Sequence, residues 1–269
     1  MLPTHTPISA ALGLLPFAGG WGACFAAWFT AFELMNLRRR GATGAMALTG
    51  AAGLAAGAGV WAQPSLVAAW PAAFGFDPLL TLLALAAMVG AAIWGLSVER
   101  LYPDPRGLIG GGAILGAGVA ITHGVLLFAL RGPMEIDFGS TPIATAVGLA
   151  STMAVGGLMI RRRRPGRFGQ LAAVVCLTAA TTASQGVERA AIGLASGFAA
   201  NVDPAALPAQ ALTPIAGLVI VAVLAVIALW VGAVDLRPAT RARAWRGSSP
   251  PAPSPSRAGT GSPRPTPFR

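Results

Sequence analysis

Three short polar motifs interrupt the apolar stretches of this chain, and they hold the side chains best suited to bind a ligand. The motifs are Gln63-Pro64, Thr122-His123 and Ser184-Gln185, and each follows a run rich in glycine and alanine. They recur about 60 residues apart, and such a regular spacing indicates an internal repeat. We therefore take Gln63, Thr122, His123, Ser184 and Gln185 as the candidate ligand-binding residues.

His123 is the candidate metal ligand, because it is the one histidine outside the extreme N-terminus and it lies within an apolar run. A histidine inside a membrane helix is costly and is commonly functional, and imidazole is a frequent metal ligand. A metal site also needs three or four ligands, whereas the other two motifs offer only amides and hydroxyls. Two interpretations stay open: a ligand site, or a packing histidine bonded to Gln63, Gln185 or a backbone carbonyl.

The elements that position these residues are predicted to be membrane helices. Hydrophobic residues make up 55% of the 269 residues and charged residues only 10%, whereas a soluble domain carries about 25% charged residues. We therefore expect an all-α polytopic membrane protein with seven transmembrane helices, each needing about 20 apolar residues. The apolar runs cover about residues 8–37, 45–70, 78–98, 108–129, 142–160, 168–191 and 214–236.

The repeat implies three two-helix units, each a helix with a polar motif followed by another helix, plus one extra helix. We expect a short outer N-terminus over residues 1–7 and a membrane domain over residues 8–236. No positive region precedes the first run, so we expect that run to remain as a helix. Residues 237–269 hold proline, serine and seven arginines without an acidic residue. That composition predicts a disordered tail that lies against anionic lipid.

The arginines predict the orientation of the chain in the membrane. There are 19 basic residues, all of them arginine, and all but Arg131 and Arg189 fall in alternate loops or the tail. Because positive loops stay in the cytoplasm, we expect the N-terminus outside and the C-terminus inside. Arginine without lysine, together with abundant alanine and glycine, is typical of a GC-rich bacterium, so we expect the plasma membrane of a bacterium. Short arginine clusters between apolar runs do not favour a nucleic-acid partner.

Small residues and caps give further expectations. The pairs Gly53/Gly57 and Gly112/Gly116 are four apart and predict close helix packing. Asp77, followed by proline, predicts the N-cap of the third helix, and Thr213 predicts the N-cap of the seventh.

The motifs resemble those of the MHYT-domain integral membrane sensors of bacteria, from about residue 26 to residue 236. The stretch Gly59-Val-Trp-Ala-Gln-Pro resembles the first motif of that family, Thr122-His123 the second and Ser184-Gln185 the third. The resemblance implies seven spans and an outer N-terminus. It also implies a copper ion that is bound by the motif methionines and histidines, and a protein that senses small gases. Here Gln63, Thr122 and Ser184 replace the methionines, and Pro64 and Gln185 replace two histidines.

The leading functional hypothesis is a non-enzymatic, sensor-like membrane protein with a degenerate outer-face site for a ligand or metal. Its partners are the lipid bilayer and a separate signalling protein. We expect no enzymatic activity, because no catalytic triad, phosphate-binding loop or CxxC motif is present in the sequence. The alternatives are a small-solute transporter, since repeats are common among transporters, and a structural membrane protein without a ligand.

Overall fold

Seven helices dominate the structure, which is a computed structural model. It describes residues 7–39, 44–67, 74–131, 134–136, 140–190, 192–194 and 206–247. Within these residues the helices are α1 (Pro7–Arg39), α2 (Ala45–Val67), α3 (Pro78–Leu101), α4 (Pro105–Ala129), α5 (Ser140–Arg163), α6 (Arg167–Ala190) and α7 (Ala209–Gly247). Each of the seven predicted apolar runs therefore forms a helix.

Five of these helices, α2, α3, α4, α5 and α7, are long and apolar enough to cross a membrane. The prediction of an all-α polytopic membrane protein is confirmed. α6 is not among the five, and it carries Gln170, Thr178, Thr181, Ser184 and Gln185 as buried polar side chains. Its low hydropathy therefore comes from residues that face the protein interior.

The expected bounds of the seventh helix are wrong at both ends. α7 begins at Ala209, so Thr213 lies inside the helix and is not its N-cap. The Thr213 hydroxyl instead donates a hydrogen bond of 2.9 Å to the backbone carbonyl of Ser65 in α2. Residues 237–247 are helical where we expected a disordered tail. The predicted tail beyond residue 247 and residues 1–6 of the predicted N-terminus lie outside the described residues.

The chain divides into two compact units, residues 1–227 and 228–269. In the first unit, consecutive helices from α1 to α6 pack against each other, and α6 also contacts α1. These contacts close the six helices into a ring. α2, α4 and α6 additionally contact one another in its interior. In the second unit, the described residues from 228 to 247 belong to α7.

Among the described residues, five short strands, which the sequence analysis did not predict, join the loops after α2, α4 and α6. β1 (Gly75–Phe76) pairs antiparallel with β2 (Leu130–Arg131) and with β5 (Leu207–Pro208). β3 (Met134–Ile136) pairs with β4 (Ile192–Leu194). We call this end of the bundle the strand end. The opposite end, where α1, α3 and α5 finish in arginines, is the arginine end.

The two glycine pairs lie at close helix contacts, as predicted. A Cβ atom on Gly57 would come within 2.9 Å of the Val89 backbone in α3, and one on Gly116 would overlap the Ser151 backbone in α5. Glycine at these positions lets the backbones approach closely, which stabilises helix pairs where lipid removes the hydrophobic driving force.

Asp77 caps α3, as predicted. Its Oδ1 accepts hydrogen bonds from the backbone N–H groups of Leu79 and Leu80, at 3.0 and 3.1 Å, and Pro78 follows it. Its other carboxylate oxygen lies 3.0 Å from a guanidinium nitrogen of Arg131. The cap therefore ties the start of α3 to the strand that follows α4.

Candidate functional site

All five candidate ligand-binding residues are buried. Gln63, Thr122 and Ser184 are fully buried, His123 is 2% exposed and Gln185 is 5% exposed. They lie on α2, α4 and α6, the three helices that meet inside the ring. These five residues stand four to seven residues before the ends of their helices, which places them about 6 to 10 Å below the strand end.

Gln63 is the residue that joins two of the motif-bearing helices. Its side-chain Nε2 donates a hydrogen bond of 2.8 Å to the hydroxyl of Thr182 on α6. Gln63 Oε1 and Gln185 Nε2 are buried, and within the part of the chain that the structure describes neither makes a hydrogen bond. One acceptor and one donor are therefore available in an apolar interior, where each unsatisfied group costs about 1–3 kcal/mol.

The face of α6 toward this site is unusually polar for the core of a membrane bundle. Thr178, Thr181, Thr182 and Gln185 stand at positions i, i+3, i+4 and i+7 and so share one side of the helix. We call these four residues the threonine face. Thr181 and Thr182 donate their hydroxyls to the carbonyls of Leu177 and Thr178, both at 3.0 Å. Their oxygens remain able to accept further hydrogen bonds.

Cys24 of α1 also belongs to this region, which the sequence analysis missed. Its buried thiol lies 3.9 Å from the Thr181 hydroxyl, and the side chains of Thr178 and Trp28 are close neighbours. Nothing in the local sequence signals the contact, because α1 and α6 meet only when the ring closes.

The remaining candidates, Thr122, Ser184 and His123, are also buried. The Thr122 hydroxyl lies 3.4 Å from the carbonyl of Ala84 and so contacts α3. Ser184 lies three residues after Thr181 on α6, next to Gln185. His123 lies seven residues after Gly116, on the side of α4 that packs against α5. The structure thus unites Gln63 with the α6 face that carries Gln185.

The donor set does not fit a copper ion. Within the described residues there is no group of three histidine, cysteine, aspartate or glutamate residues that could hold a metal. Most groups around the two glutamines are amides and hydroxyls, and the Cys24 thiol beside Thr181 is a single soft donor. Copper prefers several imidazole, thiolate or thioether ligands. What this arrangement can do is exchange hydrogen bonds with a small neutral molecule.

The fold and these contacts define an all-α polytopic membrane protein with buried polar side chains inside a helix ring. Comparison with known proteins finds no matching family model, no similar curated protein and no similar solved structure.

Proposed function

We propose that this protein is a non-enzymatic, sensor-like membrane protein of the MHYT type whose site has lost its metal ligands. The site binds a small neutral molecule between Gln63 on α2 and the threonine face of α6. The observation that carries the proposal is the pair of buried amide atoms, Gln63 Oε1 and Gln185 Nε2, that have no hydrogen-bond partner within the described residues.

The ligand of this site is small and uncharged, with at least one hydrogen-bond donor and one acceptor. It donates to Gln63 Oε1 and accepts from Gln185 Nε2, so binding removes two desolvation penalties at once. An ion would need a countercharge, and amides and hydroxyls offer only partial charges. The chemistry therefore favours a neutral hydrogen-bonding molecule over a metal or an anion.

A signal would leave the site through helix packing. α2, α4 and α6 run from the site to the arginine end, so a ligand that draws Gln63 and Gln185 together changes how α2 and α6 pack. With the N-terminus outside a bacterial plasma membrane, the site faces the outside and the arginine end faces the cytoplasm. A separate protein at the cytoplasmic face then carries the response.

Thermal unfolding of the purified chain tests the site. Small neutral amides and alcohols serve as probes, and we expect at least one of them to raise the melting temperature of the wild type. Gln185→Leu replaces the amide with an apolar side chain of similar size, so it should abolish that shift. Thr152→Val is the matched control, because Thr152 is exposed on α5 and its hydroxyl donates only to the Gly148 carbonyl, at 2.8 Å.

Three outcomes would overturn the proposal. The first is that no probe shifts the melting temperature. The second is that Gln185→Leu responds as well as the wild type, because binding would then lie elsewhere. The third is flux of the bound solute through proteoliposomes, which would favour a transporter. Hydrogen exchange at the arginine end is the measure of signalling, and it should change when the probe binds.

A further inference from the structure

A polar cleft of about 300 Å³ opens at the arginine end of the bundle, far from the site described above. It is lined by Glu99, Arg100, Pro103, Arg161, Arg162 and Pro165, and we call it the arginine cleft. Three arginines face one glutamate, so the cleft is positively charged. Its residues come from the ends of α3 and α5 and from the loops that follow these two helices.

The evidence for an anionic occupant of the cleft comes mainly from Arg100. Its Nη1 atom is buried, and among the residues that the structure describes it has no hydrogen-bond partner. A buried guanidinium N–H without an acceptor is costly, and the cost is larger for a charged donor than for a neutral one. An oxygen of a bound anion would supply the missing acceptor.

The charges around Arg100 are crowded. Burial, followed by repulsion from Arg100, lowers the pKa of the Arg38 guanidinium, which lies just beyond the predicted end of the first span. Two guanidinium groups that repel each other in this way are both stabilised by an anion bound nearby.

The other two arginines of the cleft are held in place by the protein. Arg162 donates to the backbone carbonyls of Pro103 and of Asp104, the latter at 3.0 Å. Arg161 is 8% exposed, and its guanidinium carbon lies 4.2 Å from the ring centre of Phe32. Arginines fixed in this way lose little side-chain entropy when a ligand binds, and a guanidinium matches the geometry of a phosphate group.

Apolar side chains stand beside the cleft. Leu101 and Tyr102 follow Arg100 directly and are 69% and 58% exposed. In a membrane protein, exposed leucine faces acyl chains and tyrosine lies at the level of the headgroups. We propose that the arginine cleft binds the phosphate group of an anionic lipid, whose acyl chains extend past Leu101 and Tyr102. Basic pockets between membrane helices bind phosphate headgroups in this way.

Native mass spectrometry of the full chain in neutral detergent tests this proposal. Phosphatidylglycerol should bind, and phosphatidylcholine should bind more weakly at the same concentration. Arg100→Gln should weaken phosphatidylglycerol binding about tenfold, which corresponds to one lost charge-assisted hydrogen bond. Glu99→Gln removes the acidic group of the cleft and should tighten binding, so the two variants shift the affinity in opposite directions.

Arg163→Gln is the matched control, because Arg163 is exposed at the end of α5, next to Arg162, but does not line the cleft. It should leave binding unchanged. An equal loss in Arg163→Gln and Arg100→Gln would overturn the proposal, because binding would then follow surface charge alone. Equal binding of both lipids would also overturn it. Displacement of phosphatidylglycerol by inorganic phosphate at equal concentration would overturn the proposal that the ligand is a lipid, because free phosphate would then bind as well.

Discussion

The side-chain amide of Gln63 donates a hydrogen bond of 2.8 Å to the hydroxyl of Thr182, which joins α2 to α6 across the interior of the ring. Both residues stand near the strand end, and both belong to helices whose polar motifs recur along the chain. The bond brings the first motif into contact with α6 two residues before the third motif. It also leaves the second amide atom of Gln63 available to a ligand.

Removal of this bond should destabilise the protein. Thr182→Val keeps the shape of the side chain but takes away the acceptor, which leaves both polar atoms of a buried amide without a partner. We expect a loss of about 1–3 kcal/mol in the free energy of unfolding, measured by denaturant titration in detergent. Thr152→Val removes the same kind of hydroxyl from an exposed position and should change this free energy little. Equal effects of the two variants would contradict the inferred role of the Gln63 bond.

Close packing of α4 against α5 should depend on Gly116. A methyl group there would overlap the backbone of Ser151, which cannot move without shifting the helix. Gly116→Ala should therefore cost about 1–3 kcal/mol of stability, as overpacked sites do. Gly148→Ala, on α5, meets no atom within 4 Å and should stabilise the helix by up to about 1 kcal/mol. A neutral Gly116→Ala variant would show that α4 and α5 pack less closely than described.

The cap at Asp77 should make stability depend on pH. Backbone hydrogen bonding from Leu80 is the main cause that lowers the Asp77 pKa below its ordinary value of 3.8, and the bond from Arg131 lowers it further against an opposing effect of burial. Because the folded pKa is depressed, this stabilisation is complete above the ordinary value and is lost as the pH falls through the folded value.

Melting temperatures recorded between about pH 6 and pH 2 measure the loss of stability as Asp77 is protonated, because this range spans the ordinary carboxylate pKa. Asp77→Asn keeps a good N-cap residue but removes the titration, so its melting temperature should fall less steeply with acid than that of the wild type. Arg131→Gln should reduce the slope only in part, since the backbone bonds remain. Identical slopes for Asp77→Asn and the wild type would contradict the assignment.

Copper should not accompany the purified protein in stoichiometric amount, because the described residues contain no group of three histidine, cysteine, aspartate or glutamate side chains that could hold it. Elemental analysis of protein purified without chelator measures this, and a strong chelator should leave the melting temperature unchanged. Stoichiometric copper that disappears in His123→Ala would contradict the expectation and would restore His123 as a metal ligand.

Much of the fold could be predicted, and the errors have local causes. The Asp77-Pro78 start of α3 is a short-range signal, so it was correct. Thr213 looks like a cap in the same way, but its hydroxyl bonds to Ser65 in another helix and α7 begins one turn earlier. The five short strands could not be predicted, because each has only two or three residues and depends on partners from distant loops.

The sequence by itself determined the class of protein and the depth of the polar motifs. Long apolar runs must form helices in a bilayer, because no water is present to satisfy the backbone. The repeat placed Gln63, His123 and Gln185 at one level. Only the tertiary structure decided which buried polar residues are in contact. Gln63 reaches the threonine face of α6, Thr122 contacts α3, and Cys24 lies beside Thr181. These contacts depend on the rotation of each helix within the closed ring, which no local pattern encodes.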